Sequence, residues 1–194
     1  SYCGALNSNN FSNSDNTAGF IYFVRDPRSV AISLAHHNND TIENVVKMMI
    51  NKNQFMQPDN NDGLLEFYSS WKFNYLSWKN NKLIPIKFVR YEDLLKETFL
   101  VFKEIIEFID KLINNKKGFN REKAKNSVKS TSFENLKKIE EKIGFGESII
   151  ARNNKKRIPF FHLGPKNNWQ KNFDSKFIEK LNYIFEKNLK ELNY

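Results

Sequence analysis

The chain has 194 residues, of which 40% are hydrophobic and 27% charged, with a formal net charge of +9. That length supports one domain with a real core, and the composition is ordinary for a globular protein in water. One cysteine, Cys3, excludes an intramolecular disulfide framework and favours a reducing, cytoplasmic setting, and no apolar run approaches the roughly 18 residues that a membrane span needs. The positive balance suits a partner rich in phosphate or sulfate, nucleic acid, or an acidic membrane surface. The lysines, however, are scattered among Asn and Glu, which is the pattern of a solvated surface. No Cys/His cluster has zinc spacing, so no metal is expected. No secretory signal is visible, and the first residue is Ser1 rather than Met, so the true N-terminus is expected to be missing.

Residues 1–19 are rich in Asn, Ser and Gly and read as a loop. Phe20 to Val24 is a run of aromatic and β-branched residues, the pattern of a strand covered on both faces and ending at Arg25. Asp26 is a good N-cap and Pro27 a good first helical residue, so a helix over 27–38 follows at once. His36 and His37 close it, where cationic imidazoles suit the helix dipole. A short helix is expected over 41–51 and a loop over 57–63. Leu64, Phe67, Tyr68, Trp71, Tyr75 and Trp78 recur at spacings of three and four, which predicts a helix over 64–80. Leu83 to Val89 reads as a second buried strand, with Pro85 near its start. The strongest amphipathic pattern lies over 96–113, on Phe99, Phe102, Ile105, Ile106 and Ile109. Helices over 120–130, 132–143 and 174–192 complete the count, and residues 150–171 read as basic and irregular. Two strands, each followed by helix, predict an α/β fold with a parallel sheet flanked by helices. Two strands alone cannot build such a sheet, so the expectation is either strands not recognised in the sequence or a chain that lacks its first part. No linker or repeat divides the chain, so 1–194 is expected to form one domain.

Arg25 falls at the carboxyl end of a strand, where open α/β sheets bind ligands. Ser33 lies eight residues on, about two turns into the helix. A planar, permanently charged fork plus a hydroxyl suits a phosphate group. An ordinary strand-turn-helix with a surface arginine is the alternative that this segment alone leaves open.

The segment from Phe20 to Ser33 resembles the 3′-phosphate-binding motif of sulfotransferases that use 3′-phosphoadenosine-5′-phosphosulfate (PAPS). Four further segments resemble that family in its order. Ser70-Trp71 with Trp78 resembles the helix before the sheet strand, although a tryptophan on a helix face is usually core. Ile86 to Leu94 resembles the strand followed by Tyr-Glu-Asp-Leu, which would place Tyr91 near the nucleotide base; alternatively Tyr91 is a half-buried aromatic and Glu92 and Asp93 open a helix. Ser130 to Lys137 resembles the adenine-binding segment, with Thr131 hydrogen-bonding the purine, Phe133 stacking on it and Leu136 alongside; Ser130 or Thr131 would also serve as a helix cap. Phe161-His162-Leu163-Gly164 to Gln170 resembles the C-terminal loop that closes on the 3′-phosphate, Arg-Lys-Gly-x-x-Gly-x-Trp-Lys. Gly164 and Trp169 match. His162 and Leu163 replace the Arg-Lys pair, Asn167 the second Gly and Gln170 the last Lys. A largely neutral imidazole cannot form a bidentate clamp, so Lys155, Lys156, Arg157 and Lys166 are the alternative sources of charge. Asn tolerates the left-handed backbone that glycine allows, so the turn is expected to survive.

The resemblance implies a P-loop-NTPase-like sulfotransferase fold and transfer of a sulfuryl group from PAPS to a hydroxyl or amine of a small-molecule or glycan acceptor. Arg25, Ser33, Tyr91, Thr131, Phe133, Leu136, His162, Leu163 and Gly164 would hold the nucleotide, PAPS or 3′,5′-bisphosphoadenosine. The family's N-terminal strand, phosphate loop and Lys-Thr-His segment with its general base have no match here. The expectation is a truncated chain whose base lies upstream of Ser1, with Cys3 a bystander. His36 and His37 are candidates for a replacement base. A basic module binding nucleic acid or anionic glycan without catalysis, and a P-loop kinase relative, are the rival readings.

Overall fold

A computed structural model describes residues 5–6, 9–10, 15–56, 66–151 and 155–194. Cys3, the loop at 57–63 and the basic residues 152–154 lie outside the described residues. The chain divides into two compact units, one from Ser1–Arg25 and Asn74–Ser130, the other from Asp26–Phe73 and Thr131–Tyr194.

In the first unit, strand β1 (Phe20–Val24) pairs in parallel with β2 (Ile86–Arg90). The register sets Phe20 against Ile86 and Val24 against Arg90. Side chains alternate across the sheet, so each strand feeds two different packing layers. On one face, Phe20 and Tyr22 meet Trp78, and Tyr22 meets Tyr75 and Phe88, all with ring centroids 4.7–6.4 Å apart. On the other, Val89 and Ile21 pack on Val101, Ile105 and Ile109 of a long helix (Thr98–Leu112). That two-sided burial is what the apolar run predicted. Phe23 departs from it and is 55% exposed.

The second unit is built on helices. Three of them build its core: α1 (Pro27–Asn38), α2 (Ile42–Ile50) and a C-terminal helix, Ser175–Glu191. Ala31 and Ala35 of α1 are small enough for close helix approach. They share a core with Val45, Val46 and Met49 of α2 and with Leu181, Phe185 and Leu189 of the last helix. Trp71 meets Phe185 edge-on at 5.6 Å, so this tryptophan is core. Asp26 is the cap expected from sequence and accepts from Arg28 N–H; Thr41 accepts likewise from Asn44 N–H and Asp174 from Phe177 N–H.

Several expected boundaries move. The helix predicted over 64–80 spans only Trp71–Lys79. Phe67 instead pairs antiparallel with Phe55, and Tyr68 and Ser69 donate to Gln54 O. Ser69 is left-handed at φ 58°, and Ser70 Oγ accepts from Phe73 N–H to start the helix. The second strand begins at Ile86 rather than Leu83, which is 82% exposed. The helix predicted over 96–113 spans Thr98–Leu112, and a separate short helix, Tyr91–Lys96, precedes it across a break at Glu97 with φ −130°. Helices at Arg121–Ser130 and Phe133–Ile143 match their predicted ranges closely, but the cap of the second is Ser132, whose side chain accepts from Asn135 N–H. Neither Ser130 nor Thr131 has that role. The stretch read as irregular holds a strand pair (Ile149–Ile150 with Arg157–Ile158) and a one-turn helix, Trp169–Asn172.

Phe185 is 1% exposed at the centre of the helical core. Phe185→Ala should therefore cost about 3–5 kcal/mol. A urea unfolding midpoint unchanged from wild type would show that this core is not what holds the unit together.

Candidate functional site

The first unit brings two of the expected site residues together. Val24 and Arg90 are register partners, so the next residue on each strand, Arg25 and Tyr91, leaves the sheet at the same level. The Arg25 guanidinium carbon lies 4.1 Å from the centroid of the Tyr91 ring. A guanidinium over an aromatic face is attracted to the ring's π system, and this pair sits at two strand ends. Tyr91 begins a short helix whose first turn carries Glu92 and Asp93, as its sequence suggested.

The second unit carries the rest. Ser33 is exposed on α1, and its Oγ accepts a 2.9 Å bond from Asn167 Nδ2. The same amide donates to Ser29 O at 2.9 Å. Asn167 thus ties the C-terminal loop to α1. Its backbone is at φ −67°, so it does not occupy the left-handed region expected of a glycine substitute. What the asparagine supplies is its side chain.

Phe133 and Gly164 are also in contact. Gly164 lies at φ 51°, and a Cβ there would fall 2.2 Å from Phe133 Cε2. Glycine is required both by the backbone angle and by the ring pressed against it. Phe133 further meets Phe161 edge-on at 6.0 Å. Leu163 precedes the tight turn at Gly164–Lys166, and Lys166 N–H donates to its carbonyl. Leu136 is half-buried on the helix that Phe133 begins, and Thr131 is exposed just before the Ser132 cap.

His162 stacks face to face on His36, ring centroids 3.8 Å apart and 9° from parallel. Partial burial, then the charges of His36 and Lys137, hold its pKa below the ordinary value of 6.5. The ring is therefore neutral at pH 7 and brings no charge to the loop. His36 Nε2 lies 2.7 Å from Pro159 O. A carbonyl only accepts, so that nitrogen carries the proton and the imidazole is a tie between α1 and the loop.

Three residues that sequence reasoning passed over organise this unit. Arg28 is buried and bonds both carboxylate oxygens of Asp26, with its Nη2 at 2.7 Å. It also donates to Asn182 and lies 3.9 Å over the Trp169 ring. Glu140, likewise buried, accepts from Phe160 N–H at 2.6 Å, Phe161 N–H at 2.9 Å and Ser148 Oγ. Asn167 was noted only as a missing glycine. The Asp-Pro-Arg spacing holds a signal for the first pair. Nothing in a helix-period pattern marks Glu140, because its two backbone donors lie about 20 residues downstream.

Among the described residues, no group of three or more His, Cys, Asp or Glu is placed to hold a metal ion. Among them, too, no helix is long and apolar enough to cross a membrane.

Comparison with known proteins follows the same lines. A family model described as "Sulfotransferase domain" matches residues 6–193. Luciferin sulfotransferase of Photinus pyralis is 22% identical over 179 residues, covering 87% of this chain and 44% of that protein. Retinol dehydratase, solved in complex with androsterone and the inactive cofactor PAP, aligns with a TM-score of 0.59 at 20% identity, over 89% of this chain and 47% of that one. A mouse sulfotransferase complexed with PAP aligns at 0.52 with 21% identity, over 88% and 58%. The chain thus spans about half the length of the relatives it matches.

Burial raises the pKa of Glu140, but the bonds from Ser148, Phe161 and Phe160 and the charge of Arg157 outweigh it, leaving the carboxyl below its ordinary 4.5. A carboxylate depressed on folding stabilises the fold above its unfolded pKa and loses that contribution as pH falls through the folded value. Glu140→Ala should cost about 1–3 kcal/mol at pH 7. The gap to wild type should narrow as pH falls below 4.5. Melting curves showing a gap that does not change with pH would remove the charge from this account.

Proposed function

Because the chain belongs to the sulfotransferase family, we propose that it takes part in moving a sulfuryl group from PAPS to an acceptor hydroxyl or amine. The observation that carries this is the Arg25 guanidinium held over Tyr91 at the ends of two parallel strands. Arg25 and Ser33 bind the 3′-phosphate. Tyr91, Thr131, Phe133 and Leu136 hold the adenine, and the loop of His162, Leu163 and Gly164 closes on the nucleotide. The donors fit such a group: a permanent cation and a hydroxyl for phosphate, aromatic faces for a purine. The PAP in the solved relatives supports the nucleotide assignment. Bound PAPS would supply the sulfuryl group; no step of its transfer is assigned to a residue here, and no metal is invoked.

The acceptor in this proposal is a small molecule, by likeness to the retinol dehydratase complexes with androsterone and with retinol. Residues 1–194 act as one sulfotransferase-like domain, a reading supported by a single family model that runs through both units. The lone cysteine supports a reducing, cytoplasmic compartment.

Calorimetric titration of 3′,5′-bisphosphoadenosine and adenosine 5′-phosphate separates the 3′-phosphate from the rest of the nucleotide. Arg25→Ala should weaken the bisphosphate by at least about tenfold and change the monophosphate little. Equal affinity of wild type and variant for the bisphosphate would take Arg25 out of the site. Steeply salt-dependent binding to random oligonucleotides, with no preference for the bisphosphate, would replace this function with a general polyanion-binding one.

A further inference from the structure

We infer that His36 is a positioning residue which, through its stack on His162, holds the C-terminal loop against α1 at neutral pH and releases it in acid, so that nucleotide binding weakens as pH falls. The inference rests on the nucleotide role proposed above for the loop of His162, Leu163 and Gly164. It starts from two contacts of one ring. His36 Nε2 lies 2.7 Å from Pro159 O, and the His36 and His162 rings are stacked 3.8 Å apart and 9° from parallel.

The two contacts answer differently to a proton. The carbonyl of Pro159 needs Nε2–H of His36 in either charge state. Only Nδ1 can take a further proton, and protonation there leaves the bond to Pro159 in place. The stack then sets one charged ring against a neutral one. A proton on His162 as well sets two cations face to face at 3.8 Å, with no room for water between them. Like charges at that separation repel strongly.

The surroundings favour charge on one ring and oppose it on the other. His36 and His37 lie in the last turn of α1, where the helix dipole suits a cation. His162 is partly buried and faces Lys137 on the helix that begins at Phe133. Arg157 and Asp40 line one cleft with His36 and bring opposite charges to it, and both are exposed to screening water. His37 meets the loop only through the edge of Phe160, at 5.9 Å. Glu140 holds Phe160 N–H and Phe161 N–H from the other side and stays ionised down to below pH 4.5. Between pH 8 and pH 5.5 the group whose charging opposes closure is therefore His162.

A released His162 titrates in water near 6.5, and in the stack it titrates lower. The closed loop thus binds fewer protons than the open one. Closure has its full stability above 6.5 and loses it as pH falls through the stacked value. An Arg-Lys pair at 162–163 would keep its charge throughout this range, whereas histidine makes closure conditional on pH.

The test uses the full chain as wild type, His36→Gln, His162→Phe and the double variant. Amide hydrogen exchange of residues 159–164, corrected for its intrinsic pH dependence, is followed at pH 8 and pH 5.5. Each protein is titrated with 3′,5′-bisphosphoadenosine and adenosine 5′-phosphate at both values, and comparison between proteins cancels the titration of the ligand's own phosphates. In acid the wild-type loop should lose protection, and its bisphosphate affinity should fall several-fold more than that of His162→Phe, whose ring takes no proton. One proton permits at most about tenfold per pH unit. His36→Gln keeps an amide donor for Pro159 O and removes one charge of the pair, so its fall should be smaller than that of wild type. The His162 ring, followed by NMR in wild type, should titrate below 6.5 and lower still with bound nucleotide. That measurement stands in if a variant does not fold. An acid loss no greater in wild type than in His162→Phe, or a His162 midpoint that nucleotide leaves unmoved, would overturn the inference. Loop amides that open in acid in a wild type with no preference for the bisphosphate at pH 8 would instead overturn the proposed function beneath it.

Discussion

The carboxylate of Asp26 does three things at once. It caps the first helix through Arg28 N–H, binds the Arg28 guanidinium through both oxygens, and so fixes the plane in which that guanidinium lies over Trp169. Both partners are buried. Taking two charges out of water is costly, and a buried pair breaks even only when its remaining donors and acceptors are also satisfied. Here they largely are. Arg28 Nη1 goes to Asn182, its Nε and Nη2 go to Asp26, and its face goes to indole. Such a pair need add little net stability. What it does is forbid alternatives, since leaving either charge buried alone costs several kcal/mol. The start of α1 and the position of Trp169 are set by one residue.

From that anchor the C-terminal loop is tied down by a sequence of polar contacts. Trp169 ends it on Arg28. Asn167 bonds Ser29 O and Ser33 Oγ, and His36 bonds Pro159 O and stacks on His162. Glu140 collects the N–H groups of Phe160 and Phe161 from the other side. Phe160 and Phe161 pack against Phe133 and Phe145, and the hydrogen bonds, whose donors would otherwise go unmet, specify the backbone between them. Phe133 against Gly164 is the steric counterpart: a ring occupies the space that any side chain at 164 would need.

In the first unit the decisive constraint is register. A parallel pair aligned Val24 to Arg90 delivers Arg25 and Tyr91 to the same end of the sheet, and the cation then has an aromatic face beside it. A slip of one residue would turn every side chain of β1 to the opposite layer. It would exchange Ile21 for Tyr22 against the long helix. The aromatic layer of Phe20, Tyr22, Tyr75, Trp78 and Phe88 on one side and the aliphatic layer on the other hold the register by their difference in shape.

The amino-acid sequence by itself determined what depends on neighbours along the chain. These are the apolar run of β1, the Asp26-Pro27 helix start, and the helices at Arg121–Ser130, Phe133–Ile143 and Ser175–Glu191. Each is a matter of local dihedrals or of a single face, and each was found where it was expected. Tertiary structure decided what depends on distant partners. Gln54 took the N–H groups of Tyr68 and Ser69 and ended a predicted helix, leaving Phe67 in a strand pair. Ser132 displaced its neighbours as a cap. Asn167 kept an ordinary backbone and acted through its amide, and Glu140 became a buried acceptor for donors about 20 residues away. A hydrogen bond across more than a hundred residues leaves no period in a sequence. It exists only once packing has brought donor and acceptor together and excluded the water that would otherwise serve them both.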